Sequence, residues 1–374
     1  MNTLLRAAGS AEFLSIVPAL AGFTPRQSVV LLPFRGSRTS GAMRLDLPDP
    51  DRPLDSYADA AIGLVARVGG TDAVAAVVYT DESAQPTPDG LVLPWAVAVD
   101  ELRGRAEEAG LRVVDALCVT PDGWASYLDD APLLHPRDSV PRAPSIPGVG
   151  DVSGDQNAGV DLPAAEAAEK QQIRRVLAAL STALDADRPE HPDPPVDAQT
   201  VAAVAMLEDM PAFFELVLTA RGALPPFACA ALLWCLERPA YRDVALLQWA
   251  SDQATGEQAL ESQLAFARRG QAIPDHIGEI FLGQGPAPDA DRLRFALDVV
   301  RLAAAGAPRS VRVAPLTAAG WLSWALGRST HAATYLDQAR AIDPDYGLAA
   351  LLTTMIDAAV LPEWTFRRAA VDAT

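Results

Sequence analysis

An α/β amino-terminal domain followed by an all-α helical domain is the fold class that this 374-residue sequence predicts. Three observations predict it. The first third alternates strand-like apolar runs with helix-length stretches, the pattern of a sheet layered with helices. Residues 136–163 lose all periodicity among prolines and glycines. From Pro163 onward only helical spacing recurs, with no strand-like alternation.

Each element has its own signal. Ser10-Ala-Glu-Phe reads as a helix start, with Ser10 as N-cap and Glu12 in the first turn. The apolar run 14–23 could pass for a signal-peptide core, but Glu12 interrupts its approach and only Arg6 precedes it, so a folded helix is expected. Residues 28–34 form a strand, 35–41 a loop or hairpin turn, and 42–48 a second strand. Alternation in that strand puts Met43, Leu45 and Leu47 on one face and Arg44 and Asp46 on the other. A helix over 54–68, a buried strand over 73–80, a helix over 94–109 closed by Gly110, and a strand over 111–120 follow. This succession predicts a small, mainly parallel sheet. The domain boundaries expected are 1–135, a Pro/Gly-rich linker or long loop at 136–163, and a helical domain at 164–374. Helices are expected at 164–184, 197–208, 211–220, 226–237, 241–254, 256–269, 289–305, 315–326, 330–342, 346–358 and 363–371. Pro211 and Pro226 sit at helix starts, and Gly222, Gly270 and Gly306 at helix ends. Short helices with short connectors predict a packed array.

LGRSTHAATYLDQARAIDPDY, residues 326–346, is similar to the second half of a tetratricopeptide repeat. Gly327, Ala332, Ala339 and Pro344 fall at the spacings such repeats use. Trp321 follows Gly320 directly, so the first half fits poorly, and an ordinary antiparallel helix pair accounts for the same residues.

Five segments carry a wider likeness: 10–36, MRLDLP (43–48), DGWASYL (122–128), YRDVALLQWA (241–250) and 325–349. Through them the chain resembles a bacterial family of high-GC genomes, domain of unknown function 4192. The resemblance implies no activity, substrate or cofactor. Many members continue the Trp-Ser-Tyr corner into a cysteine-rich segment. Here Leu128-Asp129-Asp130 follows, so no metal or redox role resting on those thiols carries over. GDQNAG (154–159) is similar to a segment that recurs in some members.

Charge and composition exclude several functions. The net charge is −18, made of −8 over residues 1–135 and −10 over the rest. No basic domain or stripe stands out, so neither nucleic acid nor an anionic membrane is an expected partner. No apolar run reaches the ~18 residues of a membrane span. Cys118, Cys229 and Cys235 read as buried structural thiols, which suits a cytoplasmic setting. The single lysine, Lys170, follows no glycine loop, so a phosphate-binding lysine loop and a Schiff-base lysine are both excluded. His135, His191, His276 and His331 are dispersed, and no cysteine pair has metal spacing. No cofactor and no metal are implied.

One place for a site remains, since ligands of open α/β sheets bind at the carboxyl ends of strands. The first strand ends at Arg35 and Arg38, the middle one at Thr80-Asp81-Glu82, and the last at Thr120-Pro121-Asp122-Gly123-Trp124. Asp81, Glu82 and Asp122 would suit a divalent cation, Arg35 and Arg38 an anionic group, and Trp124 a flat face. The competing reading is a turn and a packed corner. TPDG is turn chemistry and recurs at 87–90, where nothing suggests a site. The helical part offers surface, with Trp234, Trp249, Trp321 and Trp324 as anchors or, as their apolar settings favour, as core. The function expected is a non-catalytic protein-interaction or assembly module with a protein partner. The alternative is a small-ligand- or metal-binding enzyme with its site at the strand ends.

Overall fold

The computed structural model describes residues 7–39, 41–88, 90–142, 152–185, 197–220 and 224–367. The chain divides into two compact units, Met1–Ala158 with Phe366–Thr374, and Gly159–Thr365.

The first unit is a mixed sheet between helices. Its elements run α1 (Ser10–Ala21), β1 (Ser28–Arg35), β2 (Arg38–Thr39), β3 (Met43–Asp46), α2 (Leu54–Ala66), β4 (Ala73–Tyr79), β5 (Gln85–Thr87), β6 (Gly90–Val92), α3 (Ala96–Glu108), β7 (Arg112–Val119) and β8 (Trp124–Ser126). The main sheet has the order β2-β1-β4-β7-β8, with β3 also paired to β1. β1 is antiparallel to both β3 and β4, and β4 is parallel to β7. The mainly parallel sheet expected from sequence therefore gives way to a mixed one. β1 leaves through a tight turn at Gly36 (φ 60°) rather than through a helix. The chain returns in a common direction across its helical crossovers, from β3 to β4 through α2 and from β4 to β7 through α3.

Alternation along β1 and β4 fills two cores. Val29, Leu31, Val74, Ala76 and Val78 meet α2 and α3 through Ala58, Ile62, Val99 and Leu102. Met43, Leu45 and Leu47 join that face, as their spacing predicts. Val30, Leu32, Ala75 and Val77 meet α1 through Leu14 and Val17 on the opposite face. Ser10 is the first residue of α1, not its cap. Gly9 holds the cap position, and the Ser10 hydroxyl donates to Asp115 instead.

The segment 152–158 is built into this unit. Thr24 N–H donates to Gly154 O and the Thr24 hydroxyl to Val152 O. Gln156 takes the Arg26 N–H at 3.1 Å and returns its own amide to Arg26 O at 3.0 Å.

The second unit is helical: α4 (Ala167–Asp185), α5 (Ala198–Leu207), α6 (Met210–Thr219), α7 (Pro226–Leu236), α8 (Pro239–Ala250), α9 (Gln253–Arg269), α10 (Asp275–Phe281), α11 (Ala290–Gly306), α12 (Val313–Ala325), α13 (Ser329–Arg340) and α14 (Gly347–Asp357). α10 has no counterpart in the sequence reading, and at the C-terminus a 3-10 turn covers Glu363–Phe366. The rest of the helix expected over 363–371 lies largely outside the described residues. Every residue of α12 is buried, and it touches α7, α8, α11, α13 and α14. This is a closed bundle around a central helix rather than an open row in which each helix meets only its neighbours in sequence. The tryptophans lie inside it. Trp249, Trp321 and Trp324 donate to the carbonyls of Phe214, Phe281 and Val360. Gly320 lets α13 close on α12, since a Cβ there would stand 2.9 Å from Leu336. No helix among the described residues is long and apolar enough to cross a membrane.

Candidate functional site

Strand direction sorts the candidate residues into two groups. Because β1 runs against β4, Phe34 pairs with Ala73, and Arg35 and Arg38 lie at the amino ends of β4 and β7. Asp81, Glu82, Asp122 and Trp124 lie at the other end of the sheet. The two arginines are thus separated from the carboxylates by the length of the strands.

The carboxyl end of β4 is held from several sides. Thr80 is buried and its N–H donates to Val119 O, while its hydroxyl accepts from Glu82 N–H and from the Trp95 indole at 3.3 Å. Asp81 N–H donates to Gln27 Oε1, and Arg26 stands 4.0 Å from the Asp81 carboxylate with both side chains largely in solvent. Gln27 (φ 44°) and Trp95 (φ 62°) occupy the left-handed region, which disfavours side chains. Both reach the Thr80–Asp81 pair. Neither could be found from sequence, because nothing local marks a Gln or Trp for positive φ.

At β7 the Thr120-Pro-Asp-Gly123 segment is a hairpin loop to β8, closed by Thr120 N–H and hydroxyl on Gly123 O. Where the same four residue types recur, Thr87 pairs with Gly90 between β5 and β6 and its hydroxyl donates to Gly90 O at 2.8 Å. Trp124 is buried, stacks on His135 with ring centres 4.5 Å apart, and donates its indole N–H to Ser139 at 2.9 Å. Its backbone bridges His135 in both directions. Asp122 is exposed beside it. Among the described residues no group of three His, Cys, Asp or Glu side chains is placed to hold a metal, so Asp81, Glu82 and Asp122 do not converge on one cation. Arg44 and Asp46 pair with each other, Arg44 also donates to buried Ser28, and Tyr57 on α2 donates to Asp46 O.

Burial raises the phenols of Tyr79 and Tyr127 above the ordinary tyrosine range and pushes the Cys118 thiol up to about 11. These groups therefore stay protonated near neutral pH.

A cleft of about 400 Å³ opens at this same end, between the segment leading from β3 into α2 and the start of α3. Trp95, Leu93, Val97 and Leu54 give it an apolar wall, and Asp49 and Arg52 its polar rim. The N-cap residues Pro53 of α2 and Trp95 of α3 make no side-chain cap bond; in α2 the Asp55 carboxylate accepts the Ser56 N–H, and the first turn of α3 holds no acid.

A mixed α/β unit with a strand-end cleft and a helical bundle thus make up this protein. It belongs to the DUF4192 family, a domain of unknown function, whose profile matches residues 11–363. No curated protein and no solved structure matches it.

Proposed function

We propose that the α/β unit binds a compact ligand with an apolar body in the cleft beside Trp95. One observation carries this reading: two non-glycine residues, Gln27 and Trp95, hold left-handed backbone at the carboxyl end of β4, where α/β sheets take ligands. The volume lies within the range of small-molecule sites. The start of α3, whose first turn holds no acid, favours an anionic substituent at the rim, beside the Arg52–Asp49 pair. The test is untargeted mass spectrometry of small molecules retained by natively purified protein and by Val97→Trp, which fills the cleft from an exposed position. A compound held by the parent and absent from the variant supports the reading. Identical retained compounds from both would defeat it.

A second reading gives the helical unit a protein partner, in an interaction or assembly role. Leu216, Phe266 and Phe295 favour it, each about half exposed on α6, α9 and α11. Size-exclusion light scattering of the parent and of Phe266→Ser/Phe295→Ser tests self-assembly, and a monomer at all concentrations removes that form of it.

A further inference from the structure

The helical unit carries a second cleft of about 940 Å³, and its charge is opposite to that of the chain. Lys170 and Arg174, one turn apart on α4, line one wall, and Arg309 and Arg312 on the connector from α11 to α12 line the other. Close packing brings the walls together. A Cβ on Gly306 would lie 2.7 Å from the Ile173 Cδ1, so glycine at the end of α11 lets the Ile173 side chain of α4 settle against it. Ile173 sits between Lys170 and Arg174 in sequence, which sets both beside the connector. Arg312 donates to Ala307 O at 2.9 Å and so covers the carbonyl end of α11.

Elsewhere in this unit Arg175, Arg242, Arg292, Arg294 and Arg301 pair with carboxylates, while Arg268, Arg269, Arg328 and Arg340 form no ion pair among the described residues and lie outside the cleft. Among the described residues Lys170, Arg174 and Arg309 form no ion pair, and no carboxylate lines the cleft. Burial raises the Cys229 thiol on α7, and the charge of Glu169, next to Lys170, adds to it. The only lysine of the chain is therefore one of four cations facing one space in a protein of net charge −18.

We propose that this cleft binds a compact polyanion carrying two or more phosphate groups, of nucleotide or oligophosphate size. Three guanidiniums suit phosphate oxygens through paired N–H donors, and the Lys170 ammonium adds a point charge. Gln171 and Ser310 supply neutral donors at the rim, and Ile342 an apolar contact. Size follows from charge. Surface fields decay over about 8 Å at physiological salt, so a small anion in the cleft feels the four lining cations most strongly. A long polyanion would run on over acidic surface and be repelled. This site is independent of the cleft at Trp95.

Isothermal titration calorimetry of the full chain at constant ionic strength tests it, with tripolyphosphate, ATP and orthophosphate as probes. Tripolyphosphate and ATP are expected to compete for one site, with orthophosphate weaker by about tenfold or more. Arg174→Gln/Arg309→Gln removes two exposed cations and should weaken tripolyphosphate by about 100-fold with an unchanged melting temperature. Arg268→Gln/Arg269→Gln, on α9, should leave it within about twofold. No saturable binding by any phosphate overturns the proposal, as does equal weakening by both double variants. Tighter binding of single-stranded oligonucleotide or phosphatidylglycerol vesicles than of tripolyphosphate overturns the compact-ligand assignment.

Discussion

Gly123 shows how much one residue can decide. A Cβ there would stand 2.3 Å from His135 O, inside the bridge that seats Trp124. Gly123→Ala is expected to destabilise the α/β unit by about 2 kcal/mol, through backbone displacement and loss of the indole contacts. Urea denaturation followed by tryptophan fluorescence measures it, and a shift under about 0.5 kcal/mol would show that the corner yields freely. The three cysteines make a second test at this scale. All are buried, and burial lifts the thiols of Cys118 and Cys229 up to about 11 and about 12 and that of Cys235 further. Thiolate is the reactive form. Ellman's reagent should find no fast-reacting thiol at pH 8 in the native protein and three after denaturation. One fast native equivalent would mark a thiol more accessible than its packing indicates.

Among the helices, Glu215 on α6 joins three elements. It accepts from Arg292 on α11 through both carboxylate oxygens, at 3.0 and 2.7 Å, and from buried Gln248 on α8 at 2.9 Å. The Arg292 hydrogen bond leads the causes that hold its pKa below the ordinary glutamate range. The folded value lies below the unfolded one. The resulting stability is present above the unfolded value and is lost as pH falls through the folded one. Thermal melts between pH 7 and pH 3 should show a smaller acid-induced loss for Glu215→Gln than for the parent. Identical acid limbs would place the coupling elsewhere. In the sheet, Gln156 has a comparable role, clamping Arg26 just before β1. Gln156→Ala should cost the α/β unit about 1–3 kcal/mol, since it strands two backbone groups. Chemical denaturation measures the loss.

The described residues hold separate cores, three in the sheet unit, the smallest around Leu93, Cys118 and Ala125, and one large one in the helical unit. Units with their own cores can unfold separately. Calorimetry should therefore resolve two transitions, and Gln156→Ala should lower one of them alone. A single transition that shifts as a block would show the units melting as one. The large core also explains why Trp249, Trp321 and Trp324 offer no docking anchors. Trp249, Trp321 and Trp324 are fully buried, each with its indole N–H satisfied. An indole with a bonded N–H stabilises a core as readily as an interface.

Much of the architecture was legible because its causes are local. Apolar alternation marked β1, β3, β4 and β7, and proline and glycine marked the starts of α6 and α7 and the ends of α9 and α11. The membership of Met43, Leu45 and Leu47 in one face followed from a period of two residues. α10 escaped because seven residues of mixed polarity show no clear period. The candidate site was half legible. Position at strand ends was readable, but which ends share a side depends on strand direction. β1 runs against β4, so its last residue Arg35, and Arg38 across the turn, lie at the end of the sheet away from Asp81 and Asp122.

The order of elements, the burial of the thiols and the acidity of the chain belong to the sequence by itself, since each follows from residue type and short-range spacing. Only the tertiary structure decided that Gln27 and Trp95 meet at the Thr80–Asp81 pair, that α12 is enclosed, and that Lys170 and Arg174 face Arg309 and Arg312. Those meetings join residues far apart along the chain. They depend on which surfaces close on one another, and periodicity within a segment carries no record of that.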